Sequence, residues 1–162
     1  MKIPVFIISI FVLGLIIGIS VIKENNANII NETSSKGNIL YVGGSGPNNY
    51  TSIQDAINDA NDGDTIFVYS GVYYENIIIN KRINLVGEDK ETTIIDGGLS
   101  EDVVNITADW VNIEKLFLKN SGWQSKAGVK VFANNCTVAD CNIQNNQYGI
   151  YIFFKKPKEC GI

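Results

Sequence analysis

An internal repeat of 25 residues is the feature that most constrains the fold of this chain. Residues 102–121 align without a gap onto residues 127–146. Within each copy apolar and polar residues alternate with period 2, as in strands with one buried face. Because so short a unit cannot bury its apolar face alone, the copies must stack on one another. Seven columns stay apolar: Val104/Val129, Ile106/Val131, Ala108/Ala133, Val111/Cys136, Ile113/Val138, Leu116/Cys141 and Leu118/Ile143.

A third copy begins near Gly149, 21 residues after Gly128. The difference falls in residues 122–126, so we expect a small excursion at that corner of the stack. Trp123 lies in the excursion, and Tyr148 lies near the equivalent corner of the next copy. An exposed aromatic ring can stack on a sugar, which makes these two residues candidates for carbohydrate binding. Local packing over the corner is the alternative for both.

One short helical pattern precedes the repeat. Thr51 and Gln54 form a capping box, which predicts a helix over about residues 51–61. A short, one-sided helix of this kind suits the open end of a stack of strands. Its apolar face consists of Ile53, Ala56, Ile57 and Ala60.

Short β-branched segments separated by turn residues follow the helix, and no second helical pattern appears. Spacing of about ten residues between strands leaves a sandwich, a barrel or a β-helix. The stacked repeat selects the β-helix. The sequence therefore predicts an all-β fold over residues 39–152, a single-stranded right-handed parallel β-helix of about three to four coils. The short N-terminal α-helix would cap it.

Both flanks differ from this domain. Residues 1–22 form a hydrophobic segment with 20 uncharged residues between Lys2 and Lys23, long enough to span a bilayer. It predicts a signal peptide or a membrane anchor, with membrane contact only through residues 3–22. Either would place the protein outside the cell or on its surface. Residues 23–38 read as a polar linker.

The tail, residues 153–162, breaks the repeat in mid-coil. Solenoids usually close with an atypical polar repeat, and none is evident here. We therefore expect a truncated member of a longer family. An uncapped last coil would expose strand edges, which predicts self-association.

Composition excludes several kinds of partner. The formal charge of −4 gives no attraction to nucleic acid. Histidine, the commonest metal ligand and the usual general base, is absent. We expect no metal site, no cofactor and no nucleic-acid partner.

Two cysteines occupy apolar columns of the repeat. Cys136 and Cys141 are expected to pack as small buried side chains. A disulfide between them is the alternative in an exported chain. Export would also allow N-glycosylation at the sequons of Asn31, Asn49, Asn105 and Asn135. Asn105 is the strongest candidate of the four, because the repeat predicts that it points outward.

Polar residues of the repeat have mainly structural interpretations. Lys115 aligns with Asp140, which predicts an ion pair between coils. Asp96 is expected to form a turn. Asn120 and Asn145 are expected at stacked corners in the left-handed conformation.

The opening of the domain resembles a known superfamily. The segment YTSIQDAINDANDGDTIFVYSGVYYENIIINKRINLVGEDKETTIIDGG is similar to the N-terminal part of pectin lyase-like proteins. It most resembles the surface β-helix repeat proteins described as NosD-like or as carbohydrate-binding and sugar-hydrolase proteins. Pectin methylesterases share the same opening. The resemblance covers about residues 40–152.

The resemblance implies the fold and leaves the activity open. The methylesterase aspartates, arginine and glutamines belong to later coils, so no catalytic residue is carried over. Our leading hypothesis is an exported, non-catalytic β-helix protein of the cell surface with a structural or polysaccharide-binding role. A polysaccharide-modifying esterase, lyase or hydrolase that lacks its catalytic coils is one alternative. A metal-delivery accessory protein is another.

Overall fold

The computed structural model describes residues 37–153, which form a parallel β-helix. The predicted hydrophobic segment, most of the linker, Asn31 and the tail after Phe153 lie outside the described residues. The elements are β1 (Ile39–Val42), α1 (Ile53–Asp59), β2 (Thr65–Val68), β3 (Gly71–Tyr74), β4 (Ile77–Ile79), β5 (Asn84–Gly87), β6 (Thr93–Asp96), β7 (Val104–Ile106), β8 (Asn112–Glu114), β9 (Phe117–Lys119), β10 (Ala127–Val131), β11 (Thr137–Ala139), β12 (Asn142–Gln144) and β13 (Tyr148–Ile152).

The strands form three parallel sheets. Sheet 1 has the order β1-β2-β5-β8-β11, sheet 2 the order β3-β6-β9-β12 and sheet 3 the order β4-β7-β10-β13. Each coil contributes one strand to sheet 1, then one to sheet 2, then one to sheet 3. The described residues thus contain four complete coils, and β1 adds a fifth rung to sheet 1. The predicted all-β parallel β-helix with a short capping helix is confirmed, and the expected number of three to four coils is roughly matched.

The 25-residue period is the register of three strand pairs, β7 with β10, β8 with β11 and β9 with β12. Val129 pairs with Val104, Val138 with Ile113 and Ile143 with Leu118. Partners in a parallel ladder face the same side, so each apolar column continues into the interior. The core is continuous through the coils, with these side chains among the fully buried ones: Ile66, Ile77, Ile79, Leu85, Ile95, Ile106, Ile113, Leu116 and Leu118.

The helix α1 covers the first coil, and its apolar face packs into the same core. The predicted capping box at Thr51 is wrong. The N-cap is Ser52, whose hydroxyl accepts the Asp55 N–H at 3.3 Å. Two further N–H groups of the first turn, from Ile53 and Gln54, donate to the Glu75 carboxylate at 2.9 Å each. A residue of the β3–β4 corner therefore caps the helix, which no local pattern could indicate.

Two corners of the stack share the same backbone conformation. Asn120 and Asn145 both have left-handed backbone, with φ of 60° and 52°. Asparagine adopts this conformation more readily than most residues, so the expected corner role of both is confirmed. The expected ion pair between Lys115 and Asp140 is wrong, because Asp140 pairs with Lys90 of a more distant coil.

Cys136 and Cys141 are free thiols that pack against the core, each half-buried. The Cys136 Sγ donates to the Ala108 carbonyl at 3.5 Å, and the Cys141 Sγ donates to the Ala139 carbonyl at 3.2 Å. Burial raises the pKa of the Cys141 thiol. Both thiols thus pack as expected beside the core, and a disulfide between them stays an untested alternative.

The last described rung leaves apolar side chains uncovered. Ile150 and Ile152 continue the core columns of Val129 and Val131, yet both are exposed. Self-association through this rung stays a prediction. Within residues 37–153, no helix has the length and apolar character needed to cross a membrane.

Candidate functional site

Three successive loops stack at the corner where the chain passes from sheet 2 to sheet 3. They comprise residues 97–103, 120–126 and 145–147, and the middle one contains the predicted excursion. Backbone bonds join neighbouring loops, with the Leu99 N–H donating to the Asn120 carbonyl at 2.9 Å. The Asn146 side chain joins two coils, because its Oδ1 accepts the Ser121 N–H and its Nδ2 donates to the Leu118 carbonyl. The corner is therefore held in place by hydrogen bonds.

A groove of about 320 Å³ lies between these loops, and we call it the corner groove. The chain supplies amide groups, one hydroxyl and two apolar side chains to it, and no described lining residue is charged. Such a surface can donate and accept hydrogen bonds without selecting a charged ligand. Its lining consists of Leu99, Asn120, Ser121, Gly122, Trp123, Asn145, Asn146 and Gln147.

Trp123 lies at this groove with 72% of its surface exposed. Within the described part of the chain, its ring forms none of the aromatic pairs. The loop that carries it is tied to the next coil, because the Ser125 N–H donates to Gln147 Oε1 at 2.8 Å. Packing over the corner, the alternative for Trp123, leaves most of the ring in solvent, and a sugar contact at Trp123 stays a prediction.

The structure separates Tyr148 from this groove. Tyr148 is 41% exposed, but its ring lies 5.4 Å from that of Tyr151, at the edge of sheet 3. Tyr151 in turn contacts Phe153, whose ring stacks on Phe132 at 4.4 Å. The two predicted carbohydrate contacts therefore belong to different surfaces, and only Trp123 lines the corner groove.

The Asp96 carboxylate holds the side chain of Asn120, which lines the corner groove. Its Oδ2 accepts the Asn120 amide at 2.9 Å and lies 3.4 Å from the Lys119 ammonium, and its Oδ1 accepts the Gly98 N–H at 3.0 Å. Burial raises the pKa of this carboxyl, but these hydrogen bonds and Lys119 outweigh it and hold the pKa below the usual range. Asp96 is therefore ionised at neutral pH. It fixes Asn120, and its expected turn role is confirmed by the bond to Gly98.

Solved structures of other proteins share this β-helix architecture. No family model matches the chain, and no curated protein matches it. Among solved structures it is similar to pectin methylesterase from carrot, with a TM-score of 0.61 and 19% identity over 74% of this chain and 44% of the other. The chain has the pectin lyase-like right-handed β-helix fold. The superfamily fold implied by the sequence resemblance is thus confirmed.

Two further solved structures, both of pectin methylesterases, are similar to this chain. The Aspergillus niger pectin methylesterase has a TM-score of 0.56 and 22% identity, over 74% of this chain and 47% of its own. A pectin methylesterase in complex with a hexasaccharide has a TM-score of 0.58 and 17% identity, over 70% and 45%. The chain spans less than half the length of these enzymes. At such identities the similarity shows the fold alone.

The predicted glycosylation sites differ in accessibility on this β-helix. Asn49 is half-buried and its amide donates to the Gly43 carbonyl at 2.6 Å. Asn105 faces outward between Ile78 and Lys130 on sheet 3, as expected, but it is also half-buried. Asn135 is exposed at a corner. Glycosylation stays a prediction, and accessibility favours Asn135 over Asn105.

Most residues that line the corner groove are not among the binding residues predicted from the sequence. Leu99, Asn146 and Gln147 line it beside Trp123. The available signal was the repeat itself, since Ser121 and Asn146 occupy the same place in successive copies. Leu99 precedes the repeat, so only the register of β6 against β9 brings it to this corner. In the described residues, no group of three or more His, Cys, Asp or Glu side chains could hold a metal ion.

Proposed function

We propose that this chain is a polysaccharide-binding β-helix protein that holds a neutral stretch of glycan in the corner groove. The observation that carries the proposal is the exposed indole of Trp123 beside a hollow lined by amide side chains. An indole face packs against the C–H face of a sugar ring. Asparagine and glutamine amides donate to and accept from sugar hydroxyls. An uncharged lining favours a neutral sugar over an acidic one, because it offers no counter-charge.

The fold supports a saccharide ligand. A pectin methylesterase of the same architecture has been crystallised with a hexasaccharide. That ligand belongs to the other protein, and its binding residues are not transferred to this chain. What the architecture contributes is a rigid surface on which loops of successive coils lie side by side. A rigid site binds a flexible glycan with a smaller loss of conformational entropy on the protein side.

The proposal includes a location outside the cell or on its surface. The run of 20 uncharged residues between Lys2 and Lys23 supports export. Protease treatment of intact cells should digest the domain if it is exposed there. Protection in intact cells and digestion only after lysis would contradict this location.

Calorimetric titration with neutral oligosaccharides chosen from a glycan array tests the binding function. Trp123→Ala is expected to weaken binding at least about tenfold, because a lost ring contact of about 1.4 kcal/mol corresponds to that factor. Tyr148→Ala is the matched control, since it removes an exposed aromatic ring outside the groove. Equal affinity of the wild type and Trp123→Ala would overturn the site. Absence of binding to every glycan would leave a purely structural role.

A further inference from the structure

The last rung of the stack ends in a strand edge that can form hydrogen bonds. Among the described strands β13 pairs with β10 alone, so its other side is the end of sheet 3. The Tyr148 N–H donates to the Lys126 carbonyl on the β10 side at 3.2 Å. Because successive residues of a strand direct their N–H and C=O groups to opposite sides, those of Gly149 and Tyr151 point away from β10. They form an edge with which no described strand pairs.

The same rung exposes apolar side chains of the core columns. Ile150 is 46% exposed and Ile152 is 53% exposed, although Val129 and Val131 in the same columns are buried. Covering these side chains would be favourable, because it removes apolar surface from water. The partner that fits this rung therefore offers both a strand edge and apolar side chains.

The last coil carries almost no charge. Between residues 135 and 153, Asp140 is the only charged residue, and it pairs with Lys90. Charged side chains on an edge strand usually protect it from pairing with another chain, and β13 has none. Two copies can therefore bring their last coils together without strong repulsion, even though the formal charge of the whole chain is −4.

The chain itself closes the opposite end of the stack. At the free edge of β4, the Ile78 N–H donates to Gln54 Oε1 at 2.8 Å, and Gln54 Nε2 donates to the Ile78 carbonyl at 3.3 Å. The helix α1 covers the core at this end and exposes Asp55 and Asp59. A head-to-tail contact would press these carboxylates against an apolar rung, which is costly. The last rung is therefore matched by another last rung rather than by the first coil.

We propose that the last rung binds a second copy of this chain in a closed two-fold dimer, in which the two β13 strands pair antiparallel. With the two-fold axis at Ile150, Gly149 lies opposite Tyr151 of the partner copy. Residues opposite each other in such a pair exchange two hydrogen bonds, so the two Gly149–Tyr151 pairs satisfy all the free edge groups. Ile150 meets Ile150 of the partner copy and covers it.

This contact uses the same surface on both copies, so it closes at two chains. An open edge alone predicts association of any number of copies. The closed first coil and the register centred on Ile150 fix the number at two. The contact is also independent of the corner groove, because none of the residues that line that groove belongs to β13.

Sedimentation equilibrium of the full-length chain in a non-ionic detergent tests the dimer. A dilution series of the wild type should show a monomer–dimer equilibrium without larger species. Ile150→Lys should weaken dimerisation at least about a hundredfold, because two lysines would meet at the axis. Ile78→Lys is the matched control, since it places the same charge at a 50% exposed isoleucine at the other end of sheet 3. Circular dichroism melting verifies that both variants are folded.

Every variant keeps residues 3–22, so association through that apolar segment would not distinguish Ile150→Lys from Ile78→Lys. Complementary charges test the register. Ile150→Glu alone should be as monomeric as Ile150→Lys, whereas an equimolar mixture of the two should dimerise at least about tenfold more tightly than either alone. A mixture that gains nothing would overturn the register centred on Ile150.

Other outcomes would overturn the dimer itself. A monomeric wild type, or equal dimerisation of Ile150→Lys and Ile78→Lys, would contradict the contact. Species that grow beyond two copies with concentration would contradict its closure. Hydrogen exchange identifies the remaining occupant: a monomer whose Gly149 and Tyr151 amides are protected would show that another segment of the same chain covers the rung.

Discussion

The Oδ1 atom of Asp102 accepts the backbone N–H of Ala127 at 2.7 Å and thereby joins two consecutive coils. Its Oδ2 accepts from the Lys130 ammonium at 3.1 Å. Only 7% of the Asp102 side chain and 16% of the Lys130 side chain are exposed. The carboxylate thus satisfies a buried N–H group and a nearly buried cation together. Its removal would leave the Ala127 N–H without an acceptor and Lys130 without its ion-pair partner, which is the costly way to break a buried pair.

Asp102→Ala is therefore expected to lower the free energy of unfolding by roughly 3 kcal/mol. Asp102→Asn should cost less, because the amide oxygen can still accept the Ala127 N–H. Urea denaturation followed by circular dichroism measures both. Asp140→Ala is the control, since that carboxylate is half exposed in its pair with Lys90 and should cost less than about 1 kcal/mol. Equal losses at the two sites would refute the assignment.

The Glu75 carboxylate provides a second prediction, at the helix end of the stack. It accepts the N–H groups of Ile53 and Gln54 and the Ser52 hydroxyl. Glu75→Ala leaves these donors to water and should destabilise the fold by about 1–2 kcal/mol. Hydrogen exchange at the Ile53 and Gln54 amides should become faster, while exchange in sheet 1 strands far from the helix changes little. Unchanged protection of the two amides would show that another group caps α1.

The sequence predicts contacts between residues that are close along the chain better than contacts between residues that are far apart along it. The apolar columns and the strands follow from period 2 and the 25-residue offset, both of which are visible in one stretch of chain. The position of Trp123 at a corner follows from the same repeat, because the longer spacing between the copies must be taken up between strands. Tyr148 lies outside the corner groove, with its ring 5.4 Å from that of Tyr151, and a sugar contact at Tyr148 stays a prediction.

Contacts between distant coils could not be predicted. Asn84 and Asn112 lie 28 residues apart and pair in register in sheet 1. The repeat visible in the sequence has a spacing of 25, so the register of the earlier coils is hidden by loops of different length. The Glu75 cap and the Lys90–Asp140 pair were missed for the same reason. Both need the three-dimensional register rather than the local pattern.

Gly87 gives a prediction about close packing between coils. A Cβ at this position would lie 2.0 Å from the Lys115 carbonyl oxygen and 2.9 Å from a Leu116 methyl group. The first contact is with backbone, so the coils would have to separate. Gly87→Ala should cost about 2 kcal/mol or more of stability, as over-packed substitutions do. Gly71→Ala is the matched control, because its nearest contact would be an ordinary 3.5 Å. Thermal melting should separate the two variants clearly, and similar melting temperatures would disprove the close approach.

Asp96 makes the stability of the fold depend on pH. Hydrogen bonds and Lys119 hold its pKa below the ordinary value despite burial, so the folded chain binds a proton at this site less readily than the unfolded chain. A depressed carboxyl pKa stabilises the fold above the unfolded pKa, about 3.9 for aspartate, and this stabilisation is lost as the pH falls through the folded pKa.

Asp96→Asn replaces the titratable carboxyl group by an amide that does not titrate and keeps the shape of the side chain. The wild type should exceed Asp96→Asn in unfolding free energy by a constant amount between about pH 5 and 7, and the difference should shrink below about pH 4. Urea denaturation across this range measures the difference directly. Asp140→Asn, at an exposed ion pair, serves as the control for the general effect of removing a carboxylate. A difference that stays constant to about pH 2.5, or grows on acidification, would show that the Asp96 carboxylate is not stabilised by its partners in the fold.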